Sequence, residues 1–234
     1  MSNGDEPIHR VSPEMPTLLG QIDGIWAVDK PAHVNVHPVD RGDGLDVVTW
    51  LNTQPDLPPG LAPVHRLDAQ TSGVVLCAAD PQVRRRVGQW FVEGQLQKRY
   101  LALVNGISRR QGVIRRPLKD ARRRRHVDAC TRYRRWESFG TASLLEVHPE
   151  TGRKHQIRRH LHGIGHGVVG DGRYRSRGRH PVWRAPRRLW LHAVQVVLPD
   201  GTEITAPLPD ELQAHLDALR QRALQSSGQH SELP

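Results

Sequence analysis

Cysteine is nearly absent from this chain: two residues in 234, Cys77 and Cys130, lie far apart and in no metal-binding spacing. That excludes a disulfide framework and points to a reducing compartment in which neither thiol carries chemistry. Long apolar runs are missing too. Stretches free of Asp, Glu, Lys and Arg, such as Ala69 to Ala79, fall far short of the roughly 20 residues that cross a bilayer, so no transmembrane helix is expected. Met1 to Pro16 is polar and lacks the apolar segment of a secretory signal, which makes the cytoplasm the expected location. With 37% apolar and 25% charged residues the chain is neither a collagen-like repeat nor a membrane bundle. Its length suits one large domain or two small ones.

Two segments lack acid. Arg109 to Glu137 holds 12 basic and 3 acidic residues, and Arg153 to Arg188 holds 11 basic and 1 acidic. The whole chain carries a net charge of +10, so the remainder is net acidic and the molecule is close to bipolar. A concentrated basic field attracts polyanions and gains affinity by releasing their counterions. A solvated basic face without a partner is the bland reading of one such run; two dense ones weigh against it. Arginine dominates over lysine, which favours bidentate phosphate contacts and stacking.

Local patterns place a flexible tail over 1–20, a single domain over 21–225 and a second tail over 226–234. Ile22 to Val28 and Val34 to His37 read as short strands joined at Lys30-Pro31, and Leu45 to Leu51 as a helix. Gly73 to Ala78 reads as a buried strand, followed by a helix over Pro81 to Val92 with proline in its first turn. Tyr100 to Val104, Val113-Ile114, Cys130 to Tyr133 and Ala142 to Val147 are further strands, and His155 to Leu161 is helical. Asp200-Gly201 joins Leu189 to Leu198 with Glu203 to Ala206 as a hairpin. A last helix after Pro209 presents Leu212, Leu216, Leu219 and Ala223 on one face. Strands that follow one another without intervening helices, with one antiparallel hairpin and helices inserted irregularly, imply an α+β fold, not a βαβ repeat. No exposed apolar stripe stands out, so a monomer is expected.

Three segments concentrate reactive side chains. His65-Arg66-Leu67-Asp68, followed by Thr71-Ser72-Gly73, sets a carboxylate beside an arginine at a loop-to-strand junction. The guanidinium would favour the ionised acid, a nucleophile or base at neutral pH, although an isolated Arg-x-Asp is more often a structural ion pair. Lys98-Arg99-Tyr100 opens a strand with Lys98 and Tyr100 on one face. That tyrosine can stack on a nucleobase or simply sit half-buried. Thr151 to His160 begins with a turn glycine and continues as a basic helical stretch, which would place Lys154 and Arg158 together and turn Ile157 toward the core. His155, His160, His162 and His166 do not fit a metal motif, and Arg158 and Arg159 would repel a cation, so no metal site is assigned.

Taken in order, these segments resemble the RluA family of RNA pseudouridine synthases over about Gly24 to Asp200. Lys30-Pro31 and His37-Pro38 come first, then His65 to Asp68 with Thr71 to Gly73, then Lys98 to Tyr100. Gly152 to His160, Gly170-Asp171 with Tyr174, and Leu191-His192-Ala193 complete the pattern. Two positions depart from it: His33 stands where the family usually has glycine, and Gly167 where proline is common. The chain before Gly24 is too short for the extra N-terminal RNA-binding domain of some relatives, so the resemblance is to a stand-alone catalytic domain.

The resemblance implies the pseudouridine synthase fold with a mixed, mainly antiparallel sheet, RNA (ribosomal or transfer) as partner, and isomerisation of uridine to pseudouridine without metal or organic cofactor. Asp68 is then the catalytic group, attacking sugar or base or abstracting a sugar proton, with Arg158 as the ion-pair partner that aims it. Tyr100 stacks on the uracil and assists proton removal from C5, while Ile157 and Leu191 form an apolar wall. Arg66 fills the gap left by the everted nucleotide, and Lys98 lies on the substrate side. Arg153, Lys154 and the arginines from Arg115 to Arg135 hold phosphates. A lone carboxylate argues against hydrolysis, which ordinarily uses two. The competing readings are an RNA-binding or RNA-folding protein that keeps the fold without the chemistry, and a basic DNA-binding protein.

Overall fold

The computed structural model describes residues 14–39, 45–120, 124–176 and 182–228. In chain order the elements are β1 (Thr17–Ile22), β2 (Ile25–Lys30), α1 (Val47–Asn52), β3 (Ala62–Pro63), β4 (Ser72–Ala78), α2 (Pro81–Glu93), β5 (Gln97–Asn105) and β6 (Gln111–Arg115). There follow β7 (Leu118–Asp120), β8 (Arg125–Val127), β9 (Cys130–Ser138), β10 (Ala142–Pro149), α3 (Gln156–Gly163), β11 (Leu191–Val197), β12 (Glu203–Thr205) and α4 (Asp210–Gly228). Ten strands form one sheet in the order β1-β2-β4-β11-β5-β10-β9-β6, with β12 on β11 and β3 on β4; β7 and β8 make a separate two-stranded sheet. Among the described strand-to-strand pairings only β4 with β11 is parallel, apart from the isolated parallel bridge of Asn35 with Asp46. The expected α+β class is the observed one.

Local chemistry explains most boundaries. α2 starts at Asp80, whose carboxylate accepts the Gln82 N–H at 2.7 Å, and stops at Gly94 in the left-handed region. β4 is buried at every position, as a central strand covered on both faces must be. Leu212, Leu216 and Leu219 of α4 are buried in the largest core cluster with Leu144, Leu161 and Trp190. A second cluster joins α1 to Val28, Val75 and Leu67, and a third seats Val87 of α2 on Val74 and Leu76.

Four expectations need correction. Ile22 to Val28 is not one strand: Asp23 and Gly24 both have positive φ, 48° and 77°, and form the turn between β1 and β2. That Asp-Gly pair is itself a hairpin signal, and it puts Thr17 to Ile22 into the sheet although 1–20 reads as tail. Val34 to His37 is not a strand, and only Asn35 bridges, to Asp46. The chain there wraps around a side chain instead: Lys30 Nζ donates to the carbonyls of Pro31 and Val34, both at 2.8 Å. At the other end α4 runs to Gly228, past the tail boundary at 226, because no glycine or proline interrupts it after Asp210.

The parallel contact of β4 with β11 explains two motifs at once. Ser72 pairs with His192 and Gly73 with Ala193, so Thr-Ser-Gly faces Leu-His-Ala across the sheet. Gly73 has φ of 116°, and a Cβ there would lie 2.2 Å from the Ala193 carbonyl oxygen. Strained φ and backbone overlap together predict that Gly73→Ala destabilises the fold by about 2–4 kcal/mol. Thermal unfolding should record this as a fall of roughly 5–15 °C; a variant melting with the parent protein would contradict the close approach.

Candidate active site

The loop Val64 to Thr71 delivers Asp68 to a cleft of about 730 Å³, within the range of about 300–1,000 Å³ common for small-molecule sites. Each residue of His65-Arg66-Leu67-Asp68 has a separate position. His65 Nε2 accepts the Leu76 N–H at 2.9 Å, and its ring lies 4.5 Å from that of Phe91. Leu67 is buried in the core cluster beneath, whereas Arg66 is exposed at the rim. Beyond Asp68, the Ala69 carbonyl accepts from Lys30 Nζ at 3.2 Å and from the His33 N–H at 2.7 Å, and Thr71 N–H returns to the Asp68 carbonyl at 3.0 Å.

Both departures from the family pattern have a local account. His33 has φ of 68°, so it adopts the conformation that glycine would take more easily, and its exposed side chain permits this. The Gly167 N–H donates to Ser176 Oγ at 3.0 Å, a bond that proline could not make.

Arg66, Asp68, Lys98, Tyr100, Arg153, Ile157, Arg158 and Leu191 all line the cleft. Ile157 and Leu191 are buried and apolar; Lys98 sits 6.0 Å above the Phe91 ring, and burial lowers its pKa. Burial, reinforced by the Asp68 charge, raises the pKa of Tyr100 and keeps it a neutral phenol. Arg153 is exposed, with Nε donating to the Asp128 carbonyl at 3.0 Å. Lys154 does not join them. α3 begins only at Gln156, after His155 in a left-handed conformation, so Lys154 and Arg158 do not share a helical face and Lys154 points outward. Arg122 and Arg123 of the basic run lie outside the described residues.

Arg158 is not primarily the partner of Asp68. Its Nε and Nη2 donate to Asp171 at 2.7 and 2.8 Å in a buried bidentate pair, and only Nη1 turns toward Asp68 Oδ2, at 3.9 Å. Burial disfavours the Arg158 cation, but Asp171, with help from Asp68, more than offsets this and holds its pKa above the usual value. Burial likewise opposes ionisation of Asp171, and the bonds from Arg158 and from the N–H groups of Tyr174 and Arg173 reverse that, leaving its pKa lowered. Among the described residues no side chain lies within hydrogen-bond distance of the Asp68 carboxylate, which is one-quarter exposed in the cleft.

Sequence reasoning missed several groups. His155, weighed only as a metal ligand, faces Asp68 Oδ1 with Nε2 at 3.7 Å. Gln156 latches α3 to β9: its Oε1 accepts from Thr151 Oγ1 and the Arg153 N–H, while its Nε2 donates to the Cys130 carbonyl and Thr131 Oγ1. His160, also in the histidine run, uses its ring nitrogens on Thr131 Oγ1 and the Arg116 carbonyl, both at 2.9 Å. Phe91 and Val92, at the end of α2, line the cleft without any local signal of that role. A second carboxylate, Glu150, lines it as well, correcting the expectation of one acid; it is paired with Arg132.

With this geometry established, comparison with known proteins is informative. A family model described as RNA pseudouridylate synthase matches residues 24–163. A protein of Chloroflexus aurantiacus named uncharacterized RNA pseudouridine synthase is 39% identical over 213 residues, 83% of this chain and 66% of that protein. The tRNA pseudouridine synthase C of Salmonella typhimurium is 32% identical over 249 residues, 93% of this chain and 92% of that protein. Among solved structures, human RNA pseudouridylate synthase domain containing 4 superposes with a TM-score of 0.72 at 26% identity, covering 87% of this chain and 92% of that one. This chain belongs to the RNA pseudouridylate synthase family. It spans just under two thirds of the length of the Chloroflexus relative.

Two imidazoles beside the site, His192 buried and His65 half-buried, set a pH limit on the fold. Burial, with Lys98 adding to it, lowers His65 to about 3. Burial lowers His192 to about 4, the Arg188 charge assisting and the Ala206 carbonyl opposing. Unfolded histidines take up protons at about pH 6.5, so the unfolded chain binds more protons than the folded one between there and about pH 4. Stability is expected to fall as pH drops through that window, by at most about 1.4 kcal/mol per pH unit for each histidine. Urea midpoints at pH 7.5 and 4.5 should show this loss, and His192→Gln should show less of it. An equal loss in the variant would mean that His192 does not remain neutral in the fold.

Proposed function

We propose that this protein isomerises uridine to pseudouridine within structured RNA, ribosomal or transfer, with Asp68 as the indispensable group. The observation that carries the reading is the placement of Asp68: an acid with no hydrogen-bonded side-chain partner among the described residues, in a nucleotide-sized cleft between an aromatic ring and an apolar wall. Family membership and the two arginine-dense segments support it.

The reaction breaks the bond from uracil N1 to ribose C1′, turns the ring and rejoins it through C5. A carboxylate with no hydrogen-bonded side-chain partner among the described residues is available to the sugar or the base. Tyr100 stands beside it as a ring on which the uracil stacks. Because burial and the Asp68 charge both oppose loss of its proton, Tyr100 serves by stacking and hydrogen-bond donation rather than as a ready base. Ile157 and Leu191 keep the detached base from water. Arg66 at the rim replaces the extruded nucleotide in its stack, offsetting part of the few kcal/mol that extrusion costs. Arg153 and the exposed Arg115, Arg116, Arg125 and Arg134 meet phosphates, fixing register without reading sequence. The enzyme works without metal or organic cofactor, as a monomer in the cytoplasm. No helix among the described residues is long and apolar enough to cross a membrane.

The test is incubation with total RNA followed by mapping of pseudouridine. The parent protein should modify discrete uridines, and Asp68→Asn should bind the same RNA with no detectable product. Full turnover by Asp68→Asn would overturn the assignment. Complete rescue of a deletion strain by that variant would instead favour an RNA-folding role, and equal affinity for duplex DNA and folded RNA at one salt concentration would favour a DNA-binding protein.

A further inference from the structure

The segment Gly170-Asp171 with Tyr174 has no part in the reaction as described, yet it touches both polar groups that face Asp68. The Asp171 side chain is completely buried, and besides holding Arg158 its Oδ1 accepts the N–H groups of Arg173 and Tyr174, each at 2.9 Å. One carboxylate therefore fixes both the turn and the guanidinium. The turn can lie there only because residue 170 is glycine: its φ is 76°, and a Cβ would come within 1.8 Å of the Arg188 carbonyl oxygen. Tyr174, carried by the turn, places its hydroxyl 3.1 Å from His155 Nδ1 and its ring 5.2 Å from the Arg158 guanidinium. His155 itself holds a left-handed backbone conformation, φ 53°, with no capping bond to favour it.

The result is symmetrical about Asp68. Arg158 Nη1 faces one carboxylate oxygen at 3.9 Å and His155 Nε2 faces the other at 3.7 Å. We propose that the turn 170–174 is the positioning element of this active site, Asp171 acting through Arg158 and Tyr174 through His155 to aim the Asp68 carboxylate. The Tyr174 hydroxyl donates to Nδ1, which leaves the imidazole proton on Nε2, directed at Asp68. Both donors stand just outside hydrogen-bond distance, and the contacts close when RNA fills the cleft, as catalytic hydrogen bonds do on forming the reactive complex. His155, Asp171 and Tyr174 are positioning residues. This rests on Asp68 being the reacting acid, as proposed above.

The test uses the full chain and an RNA that the parent protein modifies. Tyr174→Phe keeps the ring beside Arg158 and removes only the hydroxyl. It should lower the single-turnover rate by about 10- to 100-fold while changing RNA affinity by less than about twofold and leaving the melting temperature unaltered. Because Tyr174 acts through His155, the double variant Tyr174→Phe/His155→Gln should be no slower than His155→Gln alone. Parental rates in Tyr174→Phe, or losses that multiply in the double variant, would overturn the proposal. A second measurement needs no activity: nitrogen-15 spectra of the His155 imidazole should show the Nε2–H tautomer in the parent and a shift toward Nδ1–H in Tyr174→Phe. An unchanged spectrum would overturn it. Should the parent protein modify no RNA at all, the proposed reaction fails while the spectrum still decides whether Tyr174 controls His155.

Discussion

The carbonyl of Ala69 is the point on which the site depends. Two donors from an upstream turn converge on it, the Lys30 ammonium and the His33 N–H, and the neighbouring Asp68 is placed as a consequence. Lys30 is entirely buried and serves three carbonyls, those of Pro31, Val34 and Ala69, which takes all three protons of the charged form. Burial, with Arg188 adding repulsion, draws its pKa down to about 7, while Asp68 and Asp29 work in the opposite direction. A buried charge persists only where its hydrogen bonds are made, and here making them ties two segments far apart in sequence. Removing either partner would leave the other unsatisfied, so the Lys-Pro turn and the Asp68 loop stand or fall together.

Behind that loop the charges are balanced in pairs, and the pairing decides what remains reactive. Arg158 and Asp171 neutralise each other in a buried bidentate contact. Arg188 is similarly occupied, donating to Ser72 Oγ at 2.6 Å and to Glu211 at 3.0 Å, and Ser72 passes the chain on to His192 Nδ1 at 2.9 Å. In the cleft the charge of Asp68 is faced, but not hydrogen-bonded, by the described side chains. A guanidinium already bound to one carboxylate faces a second without bonding to it before RNA is in place, which is the arrangement that the proposed positioning role needs.

What could be read from the sequence, and what could not, divides along the range of the interactions. β4, α2, the β11–β12 hairpin and α4 carry their own signals, namely an unbroken apolar run, a capped start with proline, an Asp-Gly turn and a leucine face, and each forms where those signals place it. Residues 34–37 have strand-like composition, but Val34 gives its carbonyl to the Lys30 side chain and Asn35 and Val36 give theirs to the N–H groups of Val47 and Val48, demands invisible in a local window. The cleft shows the same division. Asp68, Tyr100, Ile157, Arg158 and Leu191 meet in it, having been found through motifs. Lys154 falls outside it because the helical register begins only at Gln156, after the left-handed His155, a backbone break that the basic stretch does not signal. The pairing of Arg158 with Asp171 spans 13 residues and a turn, and no pattern of either segment alone specifies it.

The two carboxylates of the cleft bear on which reaction the site can support. Hydrolysis of a glycosidic bond commonly pairs an ionised acid with one kept protonated near neutrality by a raised pKa. Glu150 is not suited to the second role: a hydrogen bond from Cys130 and the Arg132 guanidinium lower its pKa, and it lies partly exposed at the edge. It stays ionised and held to Arg132, a surface ion pair beside the rim. Among the described residues the cleft lining therefore offers no second carboxylic acid kept protonated to release a base to solvent, while retaining one open carboxylate, an un-ionised phenol and an apolar wall. In the reaction proposed above, such a set cleaves N1 from C1′ and keeps the uracil in place, where it presents C5 to the same sugar carbon.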